Sequence, residues 1–224
     1  MSFLIQSVLN DALLAIDDPA GRNVAPAEQL SFYNRTARKV AKRLNVIEYE
    51  AFYDHVQNTD LYKLPSDCKT VRKMFATLTP TDTYSYWELD EIFEDEHAGL
   101  TNRQTASSDP RKYFMRQEYF QIYPAPATTI ERGGKMVYWG LPPDSLNPSI
   151  DLAPFPDIVR EILTEGVIIH LLKRMTRLEE AMSRAQEWEA SMTQDRDVME
   201  DRSRDRRPNL RARNRFNSYY DGQV

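Results

Sequence analysis

Residues 46–56 read Val46-Ile47-Glu48-Tyr49-Glu50-Ala51-Phe52-Tyr53-Asp54-His55-Val56, and this stretch decides the fold. Ile47, Tyr49, Ala51 and Tyr53 recur at period two against charged neighbours, the signature of a half-buried strand. Aromatic and β-branched residues fill the stretch, and they suit a pleated surface. The chain therefore cannot be a plain helical bundle.

The N-terminal side of this strand is helical. Ile5, Val8, Leu9, Ala12, Leu13 and Ile16 share one face of a helix over Phe3–Asp17. A loop carrying Pro19, Gly21 and Pro26 leads to a second helix over Ala27–Leu44. Leu30, Tyr33, Ala37, Val40, Ala41 and Leu44 align on it, with Arg35, Arg38, Lys39 and Lys42 mostly opposite. Two antiparallel helices are expected to bury each other's stripes.

On its C-terminal side the pattern is mixed. The turn formers Asn58-Thr59-Asp60 lead into Leu61-Tyr62-Lys63-Leu64-Pro65, a short strand stopped by proline. With residues 46–56 it predicts a hairpin. Val71–Thr77 reads as a further strand, and Lys112–Arg116, Tyr119–Tyr123 and Lys135–Trp139 as three more. Their turns are placed at Gln117-Glu118 and Gly133-Gly134. Between them, the spacing of Trp87, Leu89, Ile92 and Phe93 within the acidic run Tyr86–His97 predicts a short helix.

Asp157 opens the longest helical pattern. Ile158, Ile162, Gly166, Ile169 and Leu172 form one row, and Leu171, Met175, Leu178, Met182, Ala185 and Met192 continue the pattern toward Glu200. A break near Thr176 would fold this length into a hairpin. The resulting expectation is an α+β fold, mostly helical, with an N-terminal helix pair, a small antiparallel sheet, a long C-terminal helix or helical hairpin, and an extended C-terminal arm. Residues 1–204 are expected to form a single domain and 205–224 the arm.

Composition narrows the function classes. Of 224 residues, 41% are hydrophobic and 28% charged, so the bulk should fold. Seven glycines are few for phosphate-cradling loops, and no Walker lysine or G-x-S-x-G elbow occurs. Cys68 is the single cysteine, which excludes an intramolecular disulfide and fits assembly in a reducing cytoplasm. No apolar run approaches the roughly 20 residues of a bilayer span, so a soluble protein is expected.

The three histidines form no metal-ligand spacing with Cys68 or with one another. His170 lies in an apolar helical run and reads as a satisfied core imidazole, His55 sits on a strand, and His97 ends the acidic helix. The carboxylates from Glu88 to Glu96 read as a solvated face, or as a docking surface for basic partners, before they read as a metal cage. Lys69 beside Cys68 would lower a thiol pKa, yet no histidine is placed to act as its base. No catalytic residue, metal site or cofactor is expected.

The end of the chain is less ordinary. Arg202, Arg204, Arg206, Arg207, Arg211, Arg213 and Arg215 face one acid, Asp205, a local balance of +6 that leaves −11 on the remainder. Such a run is a solvated terminus, a phosphate binder, or a set of forked donors for carboxylates on a protein partner. Phe216, Tyr219 and Tyr220 come next, and arginine with aromatics is the composition of a protein hot spot. An acidic remainder repels DNA. A protein partner is the better reading, with a nucleic-acid-binding arm as its rival.

Tyr62, Leu64, Pro65 and Asp67, followed by Val71, resemble the strand exit of head-to-tail adaptor proteins of tailed bacteriophages. Phe120-Gln121-Ile122-Tyr123-Pro124-Ala125-Pro126 resembles their second exit, with Tyr123, Pro124 and Pro126 as its marks, and Met136–Trp139 the strand paired after it. The entry Pro154-Phe155-Pro156-Asp157 into a long helix is similar as well. The resemblance covers Gln6 to about Arg204. It implies a structural virion protein at the neck, assembled in the host cytoplasm: a ring, commonly of twelve copies, beneath the portal, with a tail or nozzle protein below. It implies that DNA passes through the channel without sequence-specific binding, and that the C-terminal helix and arm reach the portal. Another neck or tail-tube subunit would share this texture. The acidic run Glu88–Glu96 is longer than the pattern needs.

Overall fold

A computed structural model describes residues 3–79, 85–93 and 108–205, with side chains to residue 194. Among these residues the elements run α1 (Ile5–Ala15), α2 (Pro26–Leu44), β1 (Glu48–His55), β2 (Leu61–Lys63), β3 (Cys68–Ala76), β4 (Trp87–Glu88), β5 (Asp90–Glu91), β6 (Lys112–Arg116), β7 (Tyr119–Tyr123), β8 (Ile130–Gly140), α3 (Arg160–Arg174) and α4 (Leu178–Asp205). A 3-10 turn at Asp157–Val159 leads into α3. None of these helices is long and apolar enough to cross a membrane. The chain divides into two compact units, one of residues 1–5 and 37–157, the other of 6–36 and 158–224.

The fold is α+β, but it is not mostly helical. Among the described residues four α-helices stand beside eight strands, in two four-stranded sheets where one small sheet was expected. The first sheet has the order β1-β8-β3-β4 and the second β2-β7-β6-β5. All pairings are antiparallel except β5 with β6. Met74, Ala76, Met136 and Tyr138 from the first sheet meet Tyr113, Phe120 and Ile122 from the second in one buried cluster. The alternation in β1 fixes which side faces in: Tyr49, Ala51 and Tyr53 pack against this cluster, whereas Glu48, Glu50 and Phe52 are exposed.

Three local expectations are corrected. β1 and β2 form no hairpin, because β1 pairs with β8 and β2 with β7. Their connection turns a corner between sheets instead. Gly133 and Gly134 form no turn either, for both lie within the 11-residue β8. They are glycines because rings stand where side chains would go. A Cβ on Gly134 would come within 2.0 Å of the Tyr53 ring, and one on Gly133 within 2.6 Å of His55 Nδ1.

The acidic segment is the third correction. Trp87–Glu88 and Asp90–Glu91 are strands, one in each sheet, and residues 94–107 lie outside the described ones. The Leu89 amide donates to Met74 O of the first sheet at 2.8 Å, and Asp90 and Ile92 donate to Arg111 O and Tyr113 O at 3.0 and 2.9 Å. The chain thus switches sheets at a corner. Leu89 and Ile92 are buried because the strand crosses over, not because a helix presents them on one stripe.

The outer face of the first sheet is laced with cross-strand ion pairs. Lys73–Glu88 and Lys135–Glu50 stand at 2.9 and 3.2 Å, and Arg72 pairs with Glu48. Arg72 also lies over Trp139 and Arg132 over Phe52, at 4.7 and 4.0 Å. Exposed pairs of this kind add little stability each.

In the second unit the predicted stripe of α1 is buried as read, whereas Ile158, Leu178 and Met182 of the predicted C-terminal row are more than half exposed. Val8, Leu9, Ala12 and Leu13 of α1, and Ile16 just beyond it, are at most 6% exposed. Pro26 occupies the first turn of α2, where its missing N–H costs nothing. The most extensive helix packing is α3 against α4. These two form the hairpin foreseen as one option, with the break at Thr176, whose φ is 60°. The Arg177 amide donates to Leu172 O and the Thr176 amide to Lys173 O, the paired bonds of a Schellman close. Asp18 to Leu13 O and Asp17 to Leu14 O repeat the motif at the end of α1, with Asp17 at φ 62°. Trp188 clamps the hairpin by donating from Nε1 to Ile162 O at 2.8 Å.

Candidate functional site

The two proline-marked strand exits are tied into the sandwich by hydrogen bonds. The Tyr62 hydroxyl accepts from Val56 N at 3.1 Å and donates to Thr59 O at 2.9 Å, so one phenol braces the corner between β1 and β2. Its ring stacks on Phe120 at 5.4 Å, and burial pushes its pKa up. Leu64 donates its amide to Glu118 O, and Pro65 O accepts from Cys68 N, closing the turn into β3. Both oxygens of the Asp67 carboxylate lie 3.2 Å from the Tyr138 hydroxyl. Burial first, then that carboxylate, raises the Tyr138 phenol.

The second exit mirrors the first. Tyr123 O accepts from Arg111 N at 2.7 Å, the Tyr123–Pro124 peptide is cis, and Pro126 O accepts from Asn58 N at 3.0 Å. Pro126 thereby reaches the turn that Tyr62 braces. Burial raises Tyr123 to about 12. These residues hold strands and corners together, and they aim no nucleophile or base at a common point.

The other titratable residues are scattered. Cys68 is half-buried, and burial with the Asp67 charge pushes its thiol up to about 11, so it is no thiolate at neutral pH. His170 is not a core imidazole; it is half-buried and stacks on Phe32 at 5.3 Å. His97 lies outside the described residues. Among the described residues no three acidic, histidine or cysteine side chains come together as a cation site would require.

His55 is the residue whose setting the sequence understates. It is fully buried, neither ring nitrogen has a hydrogen-bond partner among the described residues, and the same holds for the neighbouring Tyr53 hydroxyl. Burial lowers its pKa to about 4, which keeps the imidazole neutral. The available signal was the pair Gly133-Gly134, whose missing side chains make room for His55 and Tyr53.

The arginine-rich segment starts within α4. Arg202 and Arg204 stand on its last turns, in a helix of 28 residues that runs to Asp205. Arg206, Arg207, Arg211, Arg213, Arg215, Phe216, Tyr219 and Tyr220 lie outside the described residues.

A braced sandwich, a clamped helical hairpin and a basic terminus define a protein built for structure and contact. No curated protein matches the chain. A family model does, the SU10 adaptor protein model, over residues 4–215. The chain belongs to the SU10 adaptor protein family. It is therefore a phage structural adaptor, a virion component whose family role is to join other phage structural proteins and not to catalyse.

Proposed function

We propose that the protein is a head-to-tail adaptor: a ring, of twelve copies, seated beneath the portal, joined below to a tail or nozzle protein, and continuing the DNA channel. The carrying observation is the family match over residues 4–215, which takes in all seven arginines of the basic terminus. A 28-residue helix delivers that terminus. Arg202 to Arg215, with Phe216, Tyr219 and Tyr220, is the segment that docks on the portal. Forked arginine donors suit carboxylates on the partner, and the aromatic rings supply contact area at low entropic cost. The segment orders as it docks, so each contact is modest in affinity. Repetition around a ring converts modest contacts into a durable joint.

Removing residues 202–224 tests the assignment of the arm. The truncated protein should keep the urea midpoint of the full chain and lose co-sedimentation with purified portal. Undiminished portal binding by the truncated chain would falsify it.

A further inference from the structure

The first sheet ends on one side at β1, and no strand lies beyond it. Gly140 N donates to Ile47 O at 3.1 Å. Bonded residues alternate along an antiparallel ladder, so in this register Tyr49, Ala51 and Tyr53 bond to β8. The N–H and C=O groups of Glu48, Glu50 and Phe52 then point away from the sheet, and none has a hydrogen-bond partner among the described residues. Side-chain cover thins at the same edge. Tyr138 and Met136 of β8 are buried, whereas Tyr49 and Ala51, directly opposite them, are half-buried. β1 has eight residues, where the other edge strands, β4, β2 and β5, have two or three. A long open edge is a template for another strand.

The charge along this edge selects the strand. Glu48, Glu50 and Asp54 are exposed on it. Antiparallel pairing with β1 of a second copy opposes carboxylates. Centred on Glu50 it sets the two Glu50 side chains together, and centred on Phe52 it sets Glu50 against Asp54. Like charges directly opposite are destabilising. Glu48 pairs with Arg72 and Glu50 with Lys135, but these partners come from β3 and β8, on the sheet side. The two carboxylates stay 44% and 54% exposed. A strand with a cation at every second residue would complement them.

The chain contains such a run, Arg211-Ala212-Arg213-Asn214-Arg215, followed by Phe216. At period two, three guanidinium groups would fall on one face of an extended strand, as the exposed acids of β1 do. Residues 206–224 follow α4 and, fully extended, would span roughly 60 Å, enough to reach another copy. We propose that the open edge of β1 seats residues 210–216 of a neighbouring copy, which add to the first sheet as a strand until the portal competes for them. Backbone bonds supply the affinity, and the alternating charges reject self-pairing of β1. This contact takes from the proposed ring only that copies stand side by side.

The test is amide hydrogen exchange on the full chain, read by mass spectrometry over peptides covering residues 47–56. The Glu48, Glu50 and Phe52 amides should exchange at least about tenfold more slowly than in the arm variant Arg211→Glu/Arg213→Glu/Arg215→Glu, and dilution should abolish the difference. Phe52→Pro removes an outward donor without losing a bond to β8. It should release the Glu48 and Glu50 amides in the same way while leaving co-sedimentation with portal intact. Fast exchange at these amides in the concentrated full chain overturns the proposal. Equal protection in the arm variant also overturns it, in favour of a different strand on the edge. Protection that dilution leaves unchanged overturns it in favour of the chain's own arm. Portal binding is scored separately. A chain that binds portal with its edge amides open loses this contact alone, and one with protected amides that fails to bind portal loses the portal reading alone.

Discussion

Gly134 sits where β8 passes the Tyr53 ring, and the ring leaves no space for even a methyl group. Gly134→Ala should therefore cost about 1–3 kcal/mol, the usual penalty of overpacking a filled core. Urea unfolding monitored by tyrosine and tryptophan fluorescence would measure it. His55 makes a second prediction at this scale. Its imidazole titrates at about 4 in the folded protein against 6.5 unperturbed. The unfolded chain takes up the proton first, so this contribution to stability is fully present above about pH 6.5. It is lost as pH falls toward 4. Asp18 and Asp151, held below 3.8 by hydrogen bonds to their carboxylates, act in a separate and more acidic window. His55→Leu removes two orphaned nitrogens and should flatten the melting temperature between pH 6.5 and 4 without lowering it at pH 7. An equally steep decline in the variant would contradict this. The sequence disclosed that Tyr53 and His55 lie on a strand. It did not disclose that two adjacent glycines, read naturally as a turn, are the space those rings occupy.

Among the elements, the hairpin of α3 and α4 shows how much local rules convey. The apolar rows were legible because helical spacing repeats over many residues, and the break near Thr176 was legible because the rows change phase there. A threonine at φ 60° is an unusual choice, since its branched Cβ crowds the following carbonyl in the left-handed region. Thr176→Gly should stabilise the hairpin by up to about 1 kcal/mol while preserving the Schellman bonds. A circular-dichroism melt would report it as a raised midpoint. Trp188→Ala should cost about 3–5 kcal/mol, because it empties a buried indole site and removes the bond to Ile162 O. The segment at β4 and β5 shows the opposite case. Trp87, Leu89, Ile92 and Phe93 fit a helical spacing, yet two of them are buried by a strand that changes sheets at Leu89. Four apolar residues in seven cannot distinguish these outcomes, because the deciding bonds go to Met74, Arg111 and Tyr113.

For the whole molecule, the sequence revealed most strands but not their partners. β1 looked like one arm of a hairpin with β2 because sequence neighbours usually pair, whereas its true neighbour, β8, begins 75 residues beyond the end of β1. That distant pairing splits the strands into two sheets and gives the fold more sheet than helical periodicity implied. The proline-marked exits were visible as motifs, and their role as braces became visible only with Tyr62 on Phe120 and Asp67 on Tyr138. Family membership rests on residues 4–215, nearly the whole chain, and the proposed role requires this adaptor to seat on the portal as a ring. Electron microscopy of the purified protein mixed with its phage's portal would show such seating directly. An added ring of density should appear on one end of the portal and be absent when residues 202–224 are removed. Bare portals beside the full-length protein would contradict it.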